Sequence, residues 1–170
     1  MGKTDDMEAR LVDPISSRPG FDEVESRIAV GGHPIHAMLV SFPIALTVST
    51  LGADAFYWWT GDPFWARAAL WSIGLAFLVG LLAGISGTFE LLLVPGIRAR
   101  ASSWTHFVVA MTLLSLLGVN WGFRLQGYEQ ALLPFGLTLS LIATIFAGAA
   151  GWHDGKLVFT YQVGTSSTGS

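Results

Sequence analysis

Residues 68–89 read AALWSIGLAFLVGLLAGISGTF, 22 positions without one ionisable side chain. A helix that crosses the hydrocarbon of a bilayer needs roughly 17–25 apolar residues, and a charge at its centre costs at least ~2.5 kcal/mol. The stretch therefore reads as a transmembrane helix. Working outward, the same test selects residues 37–53 (17 positions), 107–123 (17) and 130–152 (23). Four spans follow, with limits near 34–59, 66–95, 104–125 and 130–152. The connections are too short for anything but antiparallel neighbours, so the expected fold is all-α, an integral membrane four-helix bundle running up-down-up-down.

The rest of the composition agrees. Of 170 residues 52 % are hydrophobic and 12 % charged, about half the charge of an ordinary soluble domain, and mean hydropathy is +0.55. Eleven of the 21 charged side chains lie in residues 1–30, which read as a polar cytoplasmic tail. In that tail Phe21, Val24 and Ile28 are spaced like one face of a short helix on the membrane surface. The membrane domain is expected over 31–164, with strand-like alternation from Leu157 to Tyr161 and a flexible C-terminus over 165–170. The chain has no cysteine, which excludes disulfides, cysteine-held iron–sulfur clusters, covalent c-type haem and thiol nucleophiles. Residues 31–170 carry five acidic and five basic side chains, so there is no basic field for nucleic acid. The N-terminus lacks the basic-then-apolar order of a secretory signal. No hydrolase, transferase or kinase constellation is present.

Punctuation separates the spans. Gly31-Gly32-His33-Pro34 reads as a helix start with proline in the first turn, and Thr60-Gly61-Asp62-Pro63 as a turn; Pro95-Gly96 and Gln126-Gly127 mark the other breaks. Gly80, Gly84 and Thr88 recur every four residues, the small-residue spacing that lets membrane helices pack closely. Lys3, Arg10, Arg18, Arg27, Arg98, Arg100 and Lys156 fall on the side that holds both termini, against Arg67 and Arg124 opposite. The positive-inside rule puts both termini in the cytoplasm. Trp58, Trp59, Trp65 and Trp121 then form an outer aromatic belt, and Trp104 and Trp152 an inner one.

This arrangement brings every histidine to one end: His33 and His36 open helix one, His106 opens helix three and His153 closes helix four, with Glu90 near the end of helix two. Eighteen residues make five helical turns and a rise of about 27 Å. Asp54 is 18 positions after His36, with Thr47 and Thr50 on the same stripe; Arg124 is 18 after His106, by way of Asn120. On helix two Glu90 shares a face with Ser72, Ala76, Ala83 and Ser86. Polar stripes turn away from lipid, so these should line the bundle interior. Asp54 and Arg124 stand at matching heights and read most simply as a structural ion pair, the other reading being proton or quinone chemistry.

Three readings of the histidine end stay open. A bis-histidine haem b would use one histidine of helix one and His106, with Phe42 and Phe107 beside the ring. A non-haem ion would gather His33, His36, Glu90 and His106, a mixed donor set that suits iron or zinc. Otherwise these are interfacial histidines, His33 capping a helix and His36 bonded to Glu90. His153 is an extra candidate ligand at the rim.

The run His33-Pro34-Ile35-His36-Ala37-Met38-Leu39-Val40-Ser41-Phe42-Pro43-Ile44 resembles the HPxHPxLVPFPI opening of a bacterial family of four-helix membrane proteins of unknown function. The resemblance covers roughly residues 31–164. It implies an aspartate in helix one, here Asp54, an acidic residue ending helix two, here Glu90, and a histidine opening helix three, here His106. The closing LVY segment is matched by Gly155-Lys156-Leu157-Val158-Phe159. Ala37 stands where the family often has a second proline, and His153-Asp154 where it tends to have an apolar residue and glycine. Members of the family are sometimes joined to Rieske or cytochrome c domains, which implies redox work in a bacterial inner membrane. The expectation is a membrane redox module that binds haem b or a metal through His33, His36 and His106 and passes electrons between a partner protein and the quinone pool. The alternatives are a cofactor-free accessory subunit that scaffolds a larger complex, as a homo- or hetero-oligomer, and a small oligomeric permease. An electron-transfer or accessory subunit fits better than a stand-alone enzyme.

Overall fold

The structure, a computed structural model, describes the backbone of residues 29–30, 33–99 and 101–161 and the side chains of 35–99 and 101–153. The elements are β1 (Ala29–Val30), β2 (His33–Pro34), α1 (Ile35–Thr60), α2 (Pro63–Leu93), the one-turn α3 (Pro95–Arg98), α4 (Ala101–Arg124), a π-turn (Leu132–Gly136) and α5 (Leu137–Tyr161). Four helices are long and apolar enough to cross a membrane. The fold is all-α apart from the two-residue ladder of β1 with β2, in which Ala29 faces Pro34 and Val30 faces His33.

Around the bundle α1 packs on α2, α2 on α4, α4 on α5 and α5 back on α1. Sequence neighbours are thus spatial neighbours, with α1 and α4 facing each other across the centre. The core is made of small side chains: Ala76, Ala143, Ala147 and Ala150 close around Ile73, Leu113 and Leu117. Small residues let helices approach where lipid provides no hydrophobic force to drive them together. Gly80 and Gly84 belong to this contact, since a Cβ on either would stand 3.3 or 3.2 Å from Leu114 and Met111 of α4. Large apolar side chains point the other way. Trp71, Leu82, Val119 and Ile145 are all more than half exposed, an arrangement stable only against hydrocarbon.

Local chemistry sets the joints. Gly61 takes φ 68°, open to glycine at no steric cost. Asp62 then caps α2 by accepting from the Phe64 N–H at 2.9 Å, with Pro63 in the first turn. At the other end of α2 a smaller apolar cluster of Leu91, Val94 and Ile97, covered by Phe107, closes the corner through α3.

Five expectations change. Pro34 belongs to β2, and α1 starts one residue later. The break marked by Pro95-Gly96 is occupied by the one-turn α3. The fourth span does not rise straight from residue 130: Leu133 is extended (φ −113°, ψ 131°) because it precedes Pro134, and the regular helix starts at Leu137. The alternation from Leu157 to Tyr161 is helical, part of α5; a lone strand would leave backbone groups unpaired that a helix satisfies internally. Trp121 is half-buried against Phe77 and fills the place left by Gly74, whose Cβ would lie 2.6 Å from its Nε1, so it is a packing residue and not part of a belt. The interfacial helix expected around Phe21, Val24 and Ile28 and the flexible 165–170 lie outside the described residues.

Candidate histidine site and the buried ion pair

The polar stripes do face inward. Thr47, Thr50 and Asp54 of α1 are fully buried, as are Asn120 and Arg124 of α4, and His106 is 8 % exposed. Thr47 and Thr50 donate to the carbonyls of Pro43 and Leu46 one turn earlier, so their hydroxyls are satisfied within α1. On α2, Ala76, Ala83 and Ser86 are buried while Ser72 and Glu90 are half-buried.

At the end that holds the histidines, His36 sits in the first turn of α1 and reaches across to α2. Its Nδ1 lies 2.8 Å from the Ala83 carbonyl, which also accepts from Ser86 Oγ at 2.9 Å. A carbonyl only accepts, so Nδ1 carries the hydrogen and Nε2 of the neutral ring holds the lone pair. The ring rests where α2 has Gly87; a Cβ there would be 2.7 Å from Nδ1. From α4, His106 brings its ring to 5.9 Å from that of His36, at 89°. Glu90 lies seven residues beyond Ala83, two turns along the same side of α2. His153 is half-buried on α5. The backbone of His33 pairs with Val30 in the β ladder; its side chain lies outside the described residues. Among the described residues no three His, Asp or Glu side chains converge closely enough to hold a metal ion.

The two imidazoles open on a cavity of about 50 Å³. As packed, the space beside the two rings is not a haem-sized slot, and Phe42 is 58 % exposed. Imidazole nitrogen is a donor type that iron and zinc accept, and His36 and His106 bring two such rings together. The Nδ1–H to carbonyl bond is the outer contact that orients a ligating histidine.

At the opposite end Asp54 and Arg124 meet across the bundle. Arg124 Nη1 and Nη2 donate to Asp54 Oδ1 and Oδ2 at 2.8 and 2.7 Å, both side chains being 0 % exposed. Nε donates to Asn120 Oδ1 at 2.8 Å, and Nη2 also to Ser140 Oγ at 3.0 Å; Asn120 Nδ2 donates to the same hydroxyl. Four of the five guanidinium hydrogens are thus used, which is what burial of a charge demands. Gly136 makes room, since a Cβ there would stand 3.1 Å from Nη2. The network ties α1, α4 and α5 together.

Three parts of these sites have no simple mark in the sequence. The Ala83 carbonyl is backbone, and the seats at Gly87 and Gly136 depend on which side chain lies opposite. Ser140 could have been found, as a small polar residue within the fourth uncharged run.

No curated protein and no solved structure matches the chain. A family model described as a predicted membrane protein (DUF2231) matches residues 32–167, which span β2, the four long helices and all the residues of both sites. The chain is a member of that family of multi-pass membrane proteins.

Proposed function

We propose that the protein is a membrane redox module in which His36 and His106 hold a non-haem transition-metal ion, iron being the ion that serves electron transfer. The observation that carries this reading is the bond from His36 Nδ1 to the Ala83 carbonyl. It fixes the tautomer, leaves Nε2 as the donor and places that ring beside a second buried imidazole. His33, three residues before His36, and Glu90 are the further candidate donors at this end, Glu90 also as a proton acceptor. When bound, iron would supply one-electron chemistry between a partner protein and the quinone pool. The chain's own part is to hold the donors on two rigid helices and to surround them with apolar side chains.

The middle of the bundle supports this reading over a permease. Between the two polar ends Ile73, Leu113, Leu117, Ala143 and Ala147 fill the interior, and the buried Thr47 and Thr50 hydroxyls donate to carbonyls of their own helix, so the described residues of a single copy favour no continuous polar path. The test is metal analysis of protein purified anaerobically in detergent, with spectra taken before and after dithionite. Iron near one equivalent is expected, falling at least tenfold in His36→Ala and His106→Ala while helix content is kept. Metal-free protein, or a metal content that ignores both substitutions, overturns the reading in favour of a cofactor-free accessory subunit.

A further inference from the structure

The cavity that begins at the two imidazoles runs into the bundle between α1, α2 and α4, past Val40, Pro43, Gly80, Gly84 and Leu114. Its volume of about 50 Å³ is several times the ~10–15 Å³ that one water-sized molecule needs. Water is a poor occupant. A buried water requires two to four polar partners, and beyond the histidine end the walls are hydrocarbon: Pro43, Ile44, Leu113, Leu114 and Leu117. Apolar cavities of this kind stay dry and take up small apolar molecules. The cavity is partly open rather than sealed, and small apolar molecules dissolve readily in the hydrocarbon around the bundle.

We infer that this cavity is a binding site for a diatomic gas of the dioxygen or nitric oxide class, held against His36 and His106. The inference goes beyond the metal reading and does not depend on it, because the cavity and its lining belong to the chain itself. Size sets the selectivity: the space is far below the several hundred Å³ of a drug-sized or quinone site. The two imidazole rings supply the polar end at which a diatomic would be oriented.

Xenon is the probe, applied to metal-free protein in nanodiscs after treatment with a chelator, so that the outcome is separate from that of metal analysis. The chain has four methionines, and two of them report from opposite surroundings. Met111 lines the cavity, whereas Met38 is 56 % exposed on the lipid side of α1. With methyl-13C methionine, the Met111 signal is expected to shift along a saturating curve as xenon pressure rises, while Met38 drifts linearly. The Met111 shift should be lost in Ala110→Leu, which fills the cavity, and grow in Leu114→Ala, which enlarges it. Where Ala110→Leu does not fold, the gain in Leu114→Ala decides. A Met111 signal that drifts like Met38 overturns the inference. So does one unmoved by xenon but cross-relaxing with acyl-chain protons, which would assign the space to a lipid tail.

Discussion

At the scale of single residues the most consequential group is Arg124, a guanidinium with no exposure in a chain surrounded by hydrocarbon. Its stability rests on Asp54, and removal of one partner leaves the other buried and uncompensated. Asp54→Ala is expected to cost about 3–5 kcal/mol in reversible unfolding from detergent micelles. Replacing both, as Asp54→Leu with Arg124→Met, should recover most of that loss, because two well-packed apolar groups need no desolvation. A double variant as unstable as Asp54→Ala would mean that the pair does more than neutralise itself. At the other end the informative residue is Gly87. A methyl group at that position would press on His36 Nδ1, so Gly87→Ala should displace the ring and break its bond to Ala83. The proposed metal would then be lost, with both ligands still present. Metal content of Gly87→Ala equal to wild type would show that the ring's seat is irrelevant to binding.

Helix against helix, the controlling feature is how small residues on one receive large ones on the next. Gly74 takes the indole of Trp121, and Gly118 takes Phe77, whose Cε2 would lie 2.9 Å from a Cβ. These two interlocking pairs join α2 to α4 in opposite senses. Gly74→Ala and Gly118→Ala should each destabilise by about 1–3 kcal/mol through overpacking. Gly148 in α5 has nothing within 4 Å of its Cβ position, so Gly148→Ala should be neutral or stabilise by up to ~1 kcal/mol, since alanine holds a helix better than glycine. Unfolding titrations of the three variants side by side check the order. The same pairs show what could be read from the residues alone. The uncharged runs located all four spans because exclusion of charge is a property of each segment by itself, and the 18-residue spacing located both polar ends because helical geometry is periodic. The role of Trp121 was hidden because a tryptophan near a helix end reads alike whether it meets headgroups or a neighbouring glycine. Pro134 lay in view, but hydropathy averaging passes over a single proline, and the fourth span therefore looked straight. The Ala83 carbonyl had no signature, being common to every residue.

For the molecule as a whole the question is which end faces the cytoplasm, since that decides from which side a partner reaches the histidines. Arg98 lies on the histidine side of the bundle, beside Arg100 in sequence, while Arg67 and Arg124 lie at the opposite end. Arg124, however, is buried and neutralised by Asp54. Arg67 is then the one exposed basic side chain among the described residues at that end. The charge asymmetry is therefore sharper than a plain count suggests, and the expectation from the positive-inside rule is a cytoplasmic histidine end. The absence of cysteine makes this directly measurable, because each introduced thiol is the only one present. Ala99 and Gln126 are exposed at opposite ends. In right-side-out spheroplasts a membrane-impermeant maleimide should label Gln126→Cys at once and Ala99→Cys only after the membrane is permeabilised. The reverse pattern would turn the molecule over, and the end that holds His36 and His106 would then face the periplasm.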